Sequence, residues 1–302
     1  MRVTYVVGSS HSGSTLLALL ADAHPRVASV GETAVKPRVR REGRAQEQRC
    51  SCGETIERCS FWRDIVERVH RDGTRAGSTL WSHDYRFEHP WLDALLTRET
   101  SMVALRQLRG WMARHAPGYR HRVARIDRAN VAFIRAVLSQ RRAAVFLDTT
   151  KLLTRLTHLL EIPDLDVKVV QLVRDVRGFA ASAKKRGHPV HEAAYVWHND
   201  QRAIARALRS MPHERLWVMR YEDLCTRPRQ TLARLWAFCG VEPFEVPLPV
   251  RASDHHVIGN SMRLKGTIEL RLDEGWREHL DANDERSVLA VAGALNRQFG
   301  YV

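Results

Sequence analysis

The sequence predicts an α/β fold, namely a P-loop-type parallel sheet flanked by helices, with a mostly helical insertion. The first observation is a short apolar strand, Val3–Val7, which is followed by a Gly/Ser-rich loop, Gly8–Thr15, and by helix-like sequence from Leu16. The second is the recurrence of short apolar runs, each followed by helix-like sequence, at Ala143–Leu147, Val167–Val173 and Leu216–Met219. Such runs are typical of strands that are buried on both faces of a sheet.

The loop after the first strand has the spacing of a phosphate-binding loop. Backbone N–H groups and the positive end of the following helix dipole bind anions at such loops. Gly8 and Gly13–Thr15 match the pattern G-x-x-x-x-G-K-[S/T], except that Ser14 stands where the lysine is expected. That lysine contacts the β- and γ-phosphates of a triphosphate, so its replacement favours a phosphate ester as ligand. A Gly/Ser turn in a generic α/β protein is the alternative.

A second candidate anion site follows the apolar run Val167–Val173. Arg174 comes directly after this run, and Ser182 lies eight residues later on the predicted helix. An arginine at the carboxyl end of a strand and a serine on the next helix can hold one anion from two sides. Alone this signal is weak, but together with the lysine-free loop it indicates a ligand with two anionic groups.

The insertion is expected at about residues 45–141 of a single 1–302 domain, where it would cover a substrate pocket. Residues 91–141 are predicted to be helical throughout. Apolar residues line one helical face there: Ile126, Phe133, Ile134, Val137 and Leu138.

The cysteines are Cys50, Cys52, Cys59, Cys225 and Cys239, and the first three lie in the segment CSCGETIERC. That segment resembles half of a zinc site, but a structural zinc normally has four ligands. His70 could be the fourth only by coincidence of folding. Packed thiols in a reducing cytosol are favoured over a local disulfide, and a disulfide is favoured over a metal. No metal-binding residues are therefore assigned from the sequence.

The formal net charge of +14 favours anionic partners. The arginines are scattered along the chain, without a lysine-rich tail, which argues against nucleic acid. A strand begins within the first residues, and no apolar run reaches the ~18 residues that a membrane span needs. The expectation is a cytoplasmic protein without signal peptide or membrane span, and the sequence does not indicate the oligomeric state.

These motifs resemble those of the sulfotransferases that use 3′-phosphoadenosine-5′-phosphosulfate (PAPS). The pattern looks most like the branch that includes the tyrosylprotein sulfotransferases, whose motifs recur in order at His11–Leu16, His24–Val27, Gly31–Thr33 and Pro37–Arg38. The resemblance also includes Met219–Glu222, and it covers the first ~40 residues and most of 143–240, with the insertion unmatched.

The resemblance implies PAPS as co-substrate, 3′,5′-ADP as product and no required metal. It implies nucleotide contacts from Ser10, His11, Ser12, Gly13, Ser14, Thr15, Arg174, Ser182, Arg186 and Tyr221. A late loop that closes over the nucleotide would add Ser261, Arg263, Lys265 and Arg271; a solvated connector is the alternative for that loop. The acceptor would be a small molecule or peptide, with Arg38 on the substrate side. Trp197 and Trp276 are expected to pack in the core rather than to stack on adenine.

The resemblance also implies the catalytic residues. Glu32, which follows the strand-like Val27–Val30, takes the position of the catalytic base; its alternative is a surface or capping glutamate. Lys151 ends another strand, where it would contact the transferring group, and its alternative is a solvent-facing lysine. His11 stands where the family usually has a lysine or arginine, so its charge depends on its surroundings.

Two other functions stay open at this point. A P-loop kinase of a small molecule would need Mg²⁺, and Asp148 is the one evident carboxylate for it at a second strand end. A basic nucleic-acid-binding protein would explain the charge but not the ordered phosphate motifs, and it would release DNA steeply with salt. If Glu32 is not the base, histidines of the insertion are the next candidates: His83, His89 and His115.

Overall fold

A five-stranded parallel sheet forms the centre of this computed structural model, which describes residues 1–33, 48–71, 84–85, 108, 111–112 and 115–302. The strand order is β2-β3-β1-β4-β5. The strands are β1 (Arg2–Val7), β2 (Val27–Ala28), β3 (Val145–Asp148), β4 (Asp166–Val173) and β5 (Leu216–Arg220). The predicted α/β class, with a parallel sheet and flanking helices, is confirmed.

Helices cover both faces of the sheet. They are α1 (Ser14–Asp22), α2 (Ser60–Arg71), α3 (Pro117–Arg141), α4 (Leu153–Glu161), α5 (Val176–Lys184), α6 (Val190–Ala207), α7 (Tyr221–Thr226), α8 (Pro228–Cys239), α9 (Trp276–His279) and α10 (Ala282–Gln298). A small antiparallel pair, β6 (Val250–Arg251) and β7 (Thr267–Ile268), lies outside the main sheet. Among the described residues, no helix is long and apolar enough to cross a membrane.

The central strand β1 separates two apolar cores because alternate side chains of a strand point to opposite faces. Val6 packs with the buried residues of α1 and α8. Val3, Tyr5 and Val7 pack on the other face, with residues of α2, α3 and α4. A third cluster joins α5, α6 and α10 beyond the end of β4. The sheet is therefore buried on both faces, as its apolar strands predict.

Helix α3 confirms the predicted helical pattern for the part of residues 91–141 that is described. Ile126, Phe133, Ile134 and Val137 are buried, and Leu138 packs against them. Residues 48–59 instead form a hairpin-like turn, with an isolated antiparallel bridge between Arg49 and Thr55. Most of residues 72–114, including the remaining predicted helical sequence, lies outside the described residues.

The carboxyl ends of β1, β3, β4 and β5 lie at one edge of the sheet, since these strands are parallel neighbours. Ligands bind at this edge in open α/β sheets. A later segment of the chain returns to the same edge, where Ile258 forms a parallel bridge with Gly31. The residues that follow each strand are therefore brought close to one another and to the segment around residue 258.

Candidate active site

The Gly8–Thr15 loop connects β1 to α1 and has the backbone form of an anion cradle. Gly13 caps the helix with φ +92°, and a Cβ at this position would lie 2.4 Å from Cδ2 of Tyr221. Glycine is therefore required both by the conformation and by the close approach of the ring. The helix begins at Ser14, two residues before the predicted Leu16, because Gly13 supplies its cap.

Ser12 gives this loop a donor that suits an anion. Its side chain is buried, and its Oγ has no hydrogen-bond partner among the described residues. Burying a hydroxyl without a partner costs free energy. An anionic ligand in the cradle would accept this hydrogen bond together with those of the N–H groups at the start of α1.

Lys151 supplies the cation that the loop sequence lacks. Its Nζ donates to Ser14 Oγ at 2.7 Å and to Glu32 Oε1 at 2.5 Å. Ser14 stands at the lysine position of the P-loop pattern, so an ammonium group from the end of β3 reaches that position through space. One side chain thus connects the cradle to the candidate base.

A buried polar network fixes the backbone before Lys151. Asp148 accepts hydrogen bonds from the Thr150 backbone N–H and hydroxyl, and from Arg155 Nε at 2.8 Å. Thr150 in turn accepts a bond from the backbone N–H of Thr33, at 3.0 Å. Asp148 is completely buried and so forms part of the scaffold. This network holds the strand end, with Lys151, beside the residue that follows Glu32.

His11 and Lys151 share an unusual backbone conformation. Their φ angles are +60° and +69°, and of the described non-glycine residues only Arg142, which caps α3, also has a positive φ. Non-glycine residues in this region carry strain of about 1–3 kcal/mol, which concentrates at functional sites. The two candidate cations of the site are thus held in conformations that their own sequence does not favour.

Glu32 is positioned by its backbone contact with the returning segment. Its N–H donates to the Ile258 carbonyl oxygen at 2.8 Å. Gly31 has φ +77°, and a Cβ there would lie 1.9 Å from the same oxygen, so only glycine permits this approach. The Glu32 side chain is 25% exposed, which leaves the carboxylate accessible while it is paired with Lys151.

Arg174 forms a second cationic centre at the end of β4. The guanidinium is buried, and it donates to the His11 carbonyl at 3.1 Å and to Asp273 at 2.8 Å. It also lies over the Tyr221 ring, 4.8 Å from the centroid. Burial acts to raise the pKa of Asp273, but hydrogen bonding and charge from Arg174 outweigh it and lower that pKa. Burial raises the pKa of Tyr221, which keeps the phenol neutral.

Ser182 lies on the helix face that Arg174 contacts. A Cβ at Gly178 would be 3.0 Å from Arg174 Nε, so the guanidinium rests against that position of α5. Residues four apart share a helix face, which puts the half-buried Ser182 one turn further along the same face. The predicted arrangement of arginine and serine on one side is compatible with this geometry.

A cavity of about 440 Å³ opens beside Arg174. Trp276 lines it rather than packing fully in the core, and Arg177 and Arg277 lie over its ring at 4.2 and 4.4 Å. Trp197 is buried as expected, and its Nε1 donates to the Arg174 carbonyl at 3.1 Å. The expectation of a core position is therefore correct for Trp197 and only partly so for Trp276.

The other predicted site residues fall into three groups. Arg263 is buried, and its guanidinium donates to the carbonyl oxygens of Arg49 and Gly259, so it holds the late loop to the 48–59 segment. Arg38, His83 and His89 lie outside the described residues. The third group is exposed to solvent and consists of Ser10, His115, Arg186, Ser261, Lys265 and Arg271.

Sequence reasoning missed two carboxylates near the loop. Asp273 pairs with Arg174 across 99 positions of sequence, and nothing in the sequence indicates that contact. Asp200 lies on α6, where burial raises its pKa and a hydrogen bond with Ser9 lowers it, with a net increase. Ser9 also accepts from Gln201 at 3.1 Å. In the sequence, the one signal for the contacts of Ser9 with Asp200 and Gln201 is the pair of polar residues, Asp200 and Gln201, within α6, the helix that packs near the glycine loop.

Comparison with known proteins decides the family. Residues 4–245 match the sequence pattern described as the sulfotransferase family. The chain belongs to the sulfotransferase family. No curated protein matches it at a significant level. The match is to the sulfotransferase family as a whole, and the narrower resemblance to the tyrosylprotein branch is not supported.

Two solved structures share the sulfotransferase fold with this chain over nearly its whole length. One is a sulfotransferase domain from the olefin synthase of Synechococcus PCC 7002, with 19% identity and a TM-score of 0.51, covering 100% of this chain and 95% of that one. The other is a sulfotransferase domain from the curacin biosynthetic pathway, with 18% identity and a TM-score of 0.53, covering 97% of each chain. At these identities the likeness is one of fold.

Proposed function

We propose that this sulfotransferase transfers a sulfuryl group from PAPS to a hydroxyl or amine of a small-molecule or peptide acceptor, with Glu32 as general base. The observation that carries the proposal is the pair of contacts made by Lys151. Its ammonium group joins Ser14 of the phosphate cradle to the Glu32 carboxylate. A cation, a base and an anion cradle thus lie within hydrogen-bond reach of one another, as group transfer requires.

The residues present fit a donor with two separated anionic groups. The 5′-phosphosulfate would lie in the cradle, where Ser12 Oγ lacks a partner among the described residues and the α1 N–H groups are directed outward. The 3′-phosphate would bind Arg174 and Ser182, and it would replace Asp273 on the guanidinium. Arg186, Tyr221 and the late-loop residues Ser261, Lys265 and Arg271 are proposed as further contacts, with Arg38 on the acceptor side.

The donor supplies an activated sulfuryl group that is transferred as the sulfur–oxygen bond to its 5′-phosphate breaks. Glu32 would accept the proton that the acceptor loses as its oxygen or nitrogen bonds to sulfur. Lys151 and His11 would meet the negative charge that appears on the departing phosphate, together with the N–H groups of α1. The Lys151 ammonium lies within hydrogen-bond distance of both Ser14 Oγ in the cradle and Glu32 Oε1 of the proposed base.

The kinase alternative is weakened by the state of Asp148. A magnesium-dependent kinase would need a free carboxylate at the end of a second strand. Asp148 is completely buried, and its oxygens accept from Thr150 and Arg155. We therefore propose that transfer needs no added Mg²⁺, and that the scattered positive charge serves anionic small ligands rather than nucleic acid.

The decisive experiment incubates the protein with PAPS and a panel of phenols, alcohols, amines and tyrosine peptides, followed by mass spectrometry for an added sulfuryl group. We expect sulfated product and 3′,5′-ADP in equal amounts, without added Mg²⁺. Calorimetry is expected to show tighter binding of 3′,5′-ADP than of ADP or ATP. Equal affinity for ATP and 3′,5′-ADP, or transfer of phosphate that depends on Mg²⁺, would contradict the proposal.

A further inference from the structure

Four potential metal ligands meet outside the site described above. They come from the 50–59 turn and from the segment that returns to the sheet edge: Cys50, Cys52, Cys59 and His256. Their ligand atoms all lie within 4.8 Å of one another, and the cysteines are free thiols. His256 lies two residues before Ile258, whose carbonyl accepts from the Glu32 N–H.

Three of the distances within the group match those around one tetrahedral ion. Zn–S bonds of about 2.3 Å and Zn–N bonds of about 2.0–2.1 Å put sulfurs about 3.8 Å apart, and sulfur and nitrogen about 3.6 Å apart. The observed separations are 3.7 Å between the sulfurs of Cys52 and Cys59, and 3.5 and 3.4 Å from His256 Nδ1 to the sulfurs of Cys50 and Cys59. A disulfide would need about 2.05 Å between sulfurs. The ligand atoms thus surround a common centre, and the sulfurs of Cys52 and Cys59 are too far apart to form a disulfide.

The local backbone holds the first two cysteines in one turn. Gly53 has φ +94° and its N–H donates to the Cys50 carbonyl at 3.0 Å, which closes a tight turn that contains Cys52. Burial raises the pKa of the Cys50 and Cys59 thiols, and the N–H groups of Cys52 and Trp62, which are directed at the two sulfurs, oppose that increase in part.

The histidine ring is also fixed in place. His256 stacks on Phe61 at 4.5 Å with 3° between the rings. Ser51, between the first two cysteines, donates to the His255 carbonyl at 2.6 Å and accepts from the Val257 N–H at 2.9 Å. These contacts hold the histidine's own segment against the cysteine turn. The ligand set is therefore positioned by packing, although His256 is 197 residues away from Cys59.

We propose that Cys50, Cys52, Cys59 and His256 bind a structural zinc ion. Four protein ligands complete a tetrahedral shell, so no position is left for substrate, and soft sulfur donors with one imidazole are the ligand set that zinc prefers. This assignment replaces our sequence-based preference for packed thiols, which rested on the missing fourth ligand. It does not depend on sulfuryl transfer.

The zinc would stabilise the segment that positions Glu32. From His256 the chain runs to Ile258, whose N–H donates to the Val30 carbonyl at 2.9 Å and whose carbonyl accepts from the Glu32 N–H at 2.8 Å. The metal would thus tie the cysteine turn to the backbone that holds the base. The same segment also contacts the cradle, because the Asn260 N–H donates to Thr15 Oγ1 at 3.0 Å. Loss of zinc is therefore expected to lower both turnover and nucleotide affinity.

The test measures metal in the full chain, produced with zinc in the medium and purified under reducing conditions without chelator. Elemental analysis is expected to give about one zinc per chain. Cobalt in place of zinc should give the thiolate charge-transfer band and the strong d–d bands of a tetrahedral site. Cys52→Ala and His256→Ala should lose most of the metal. The matched controls Cys225→Ala and Cys239→Ala, buried cysteines outside the group, should keep it.

Several results would overturn the assignment. They are a metal-free wild-type chain under these conditions, full zinc content in both ligand variants, an octahedral cobalt spectrum, or a disulfide among the three cysteines in peptide mapping of freshly alkylated protein. If the variants fail to fold, the wild-type zinc content and cobalt spectrum still decide. Because no measurement here uses PAPS, failure of the transfer proposal would leave these results unchanged.

Discussion

Two cationic side chains, Lys151 and Arg174, lie at the carboxyl edge of the sheet, and they differ in the residues to which they are hydrogen-bonded. Lys151 is bonded to Ser14 and Glu32, and all three belong to the proposed reaction. Arg174 is bonded to Asp273, a residue of the C-terminal segment with no proposed role in transfer. In the first centre a ligand would rearrange contacts among site residues, whereas in the second it would replace an internal carboxylate.

This difference assigns different measurable roles to the two centres. Changes around Lys151 should act mainly on turnover, because charge and proton move there during the reaction. Changes around Arg174 should act mainly on nucleotide affinity, because that centre holds a group that does not react.

Glu32→Gln should have the largest effect. The amide keeps the shape and hydrogen bonding of the side chain but cannot accept the acceptor's proton, so kcat should fall ~10²–10⁴-fold. The affinity for 3′,5′-ADP, measured by calorimetry, should barely change. Glu269→Gln, on the exposed surface, is the control and should behave like wild type. Near-normal turnover of Glu32→Gln with its true acceptor would move the search for the base to Asp200 or His115.

Lys151→Ala should lower kcat ~10²–10³-fold, since it removes a donor at developing charge. The dissociation constant for 3′,5′-ADP should change less than kcat, as measured by single-turnover kinetics beside calorimetry. Lys168→Ala removes the same charge within β4, where the amine donates to the Phe238 carbonyl, and it serves as the control. Equal losses in affinity and turnover would mean that Lys151 only anchors the nucleotide.

His11 can be tested through pH. If its imidazolium meets charge on the departing phosphate, kcat should decline as the pH rises through the range in which imidazoles lose their proton, about 6–7. His11→Arg keeps a cation at all working pH values and should flatten that limb of the profile. His213→Arg, at an exposed position, is the control. An unchanged profile in His11→Arg would assign the limb to another group.

Arg174→Ala should weaken 3′,5′-ADP binding ~10–100-fold, the loss expected for one charge-assisted contact of about 1.5–3 kcal/mol. Turnover at saturating donor should change less. Arg215→Ala removes the same charge from an exposed pair with Asp166, at the opposite end of β4, and should leave affinity intact. An unchanged dissociation constant in Arg174→Ala would remove this residue from the nucleotide site.

The sequence predicts those elements and loops that are formed by residues close to one another in the chain. The strand, glycine loop and helix at Arg2–Asp22 follow from local patterns, and so does the position of Lys151 directly after an apolar strand. Parallel strands bring their carboxyl ends together, so the meeting of Lys151 with the loop follows from topology. The buried face of α3 follows from its helical periodicity.

Contacts that depend on distant loops could not be predicted. Asp273 and His256 lie in stretches of the C-terminal region with little regular structure, where no periodicity marks a partner. The sequence predicts no metal site because the cysteine segment lacks a fourth ligand, and the nearest histidine in sequence, His70, is not the one that the fold brings to the cysteines. The ring of Trp276, which the sequence predicts in the core, lines a cavity instead, and the guanidinium groups of Arg177 and Arg277 lie over it.

Asp273→Asn should have the smallest effect and the opposite sign. The half-exposed Asp273 carboxylate competes with an incoming phosphate for Arg174, and asparagine can still accept one hydrogen bond but without charge. Affinity for 3′,5′-ADP should therefore rise about two- to five-fold, the range expected for an exposed ion pair. Asp284→Asn, in the pair with Lys184, is the matched control.

The acid stability of Asp273→Asn provides a second readout. Since the pKa of Asp273 is lowered in the folded chain, its ion pair contributes stability above the unfolded value, about 3.9. That contribution is lost as the pH falls through the folded pKa, so the variant should be less stable to urea than wild type at neutral pH and should match it in acid, below that folded pKa. Weaker 3′,5′-ADP binding in this variant would show that Asp273 positions Arg174 for the phosphate instead of competing with it, and the contrast between the two centres would then disappear.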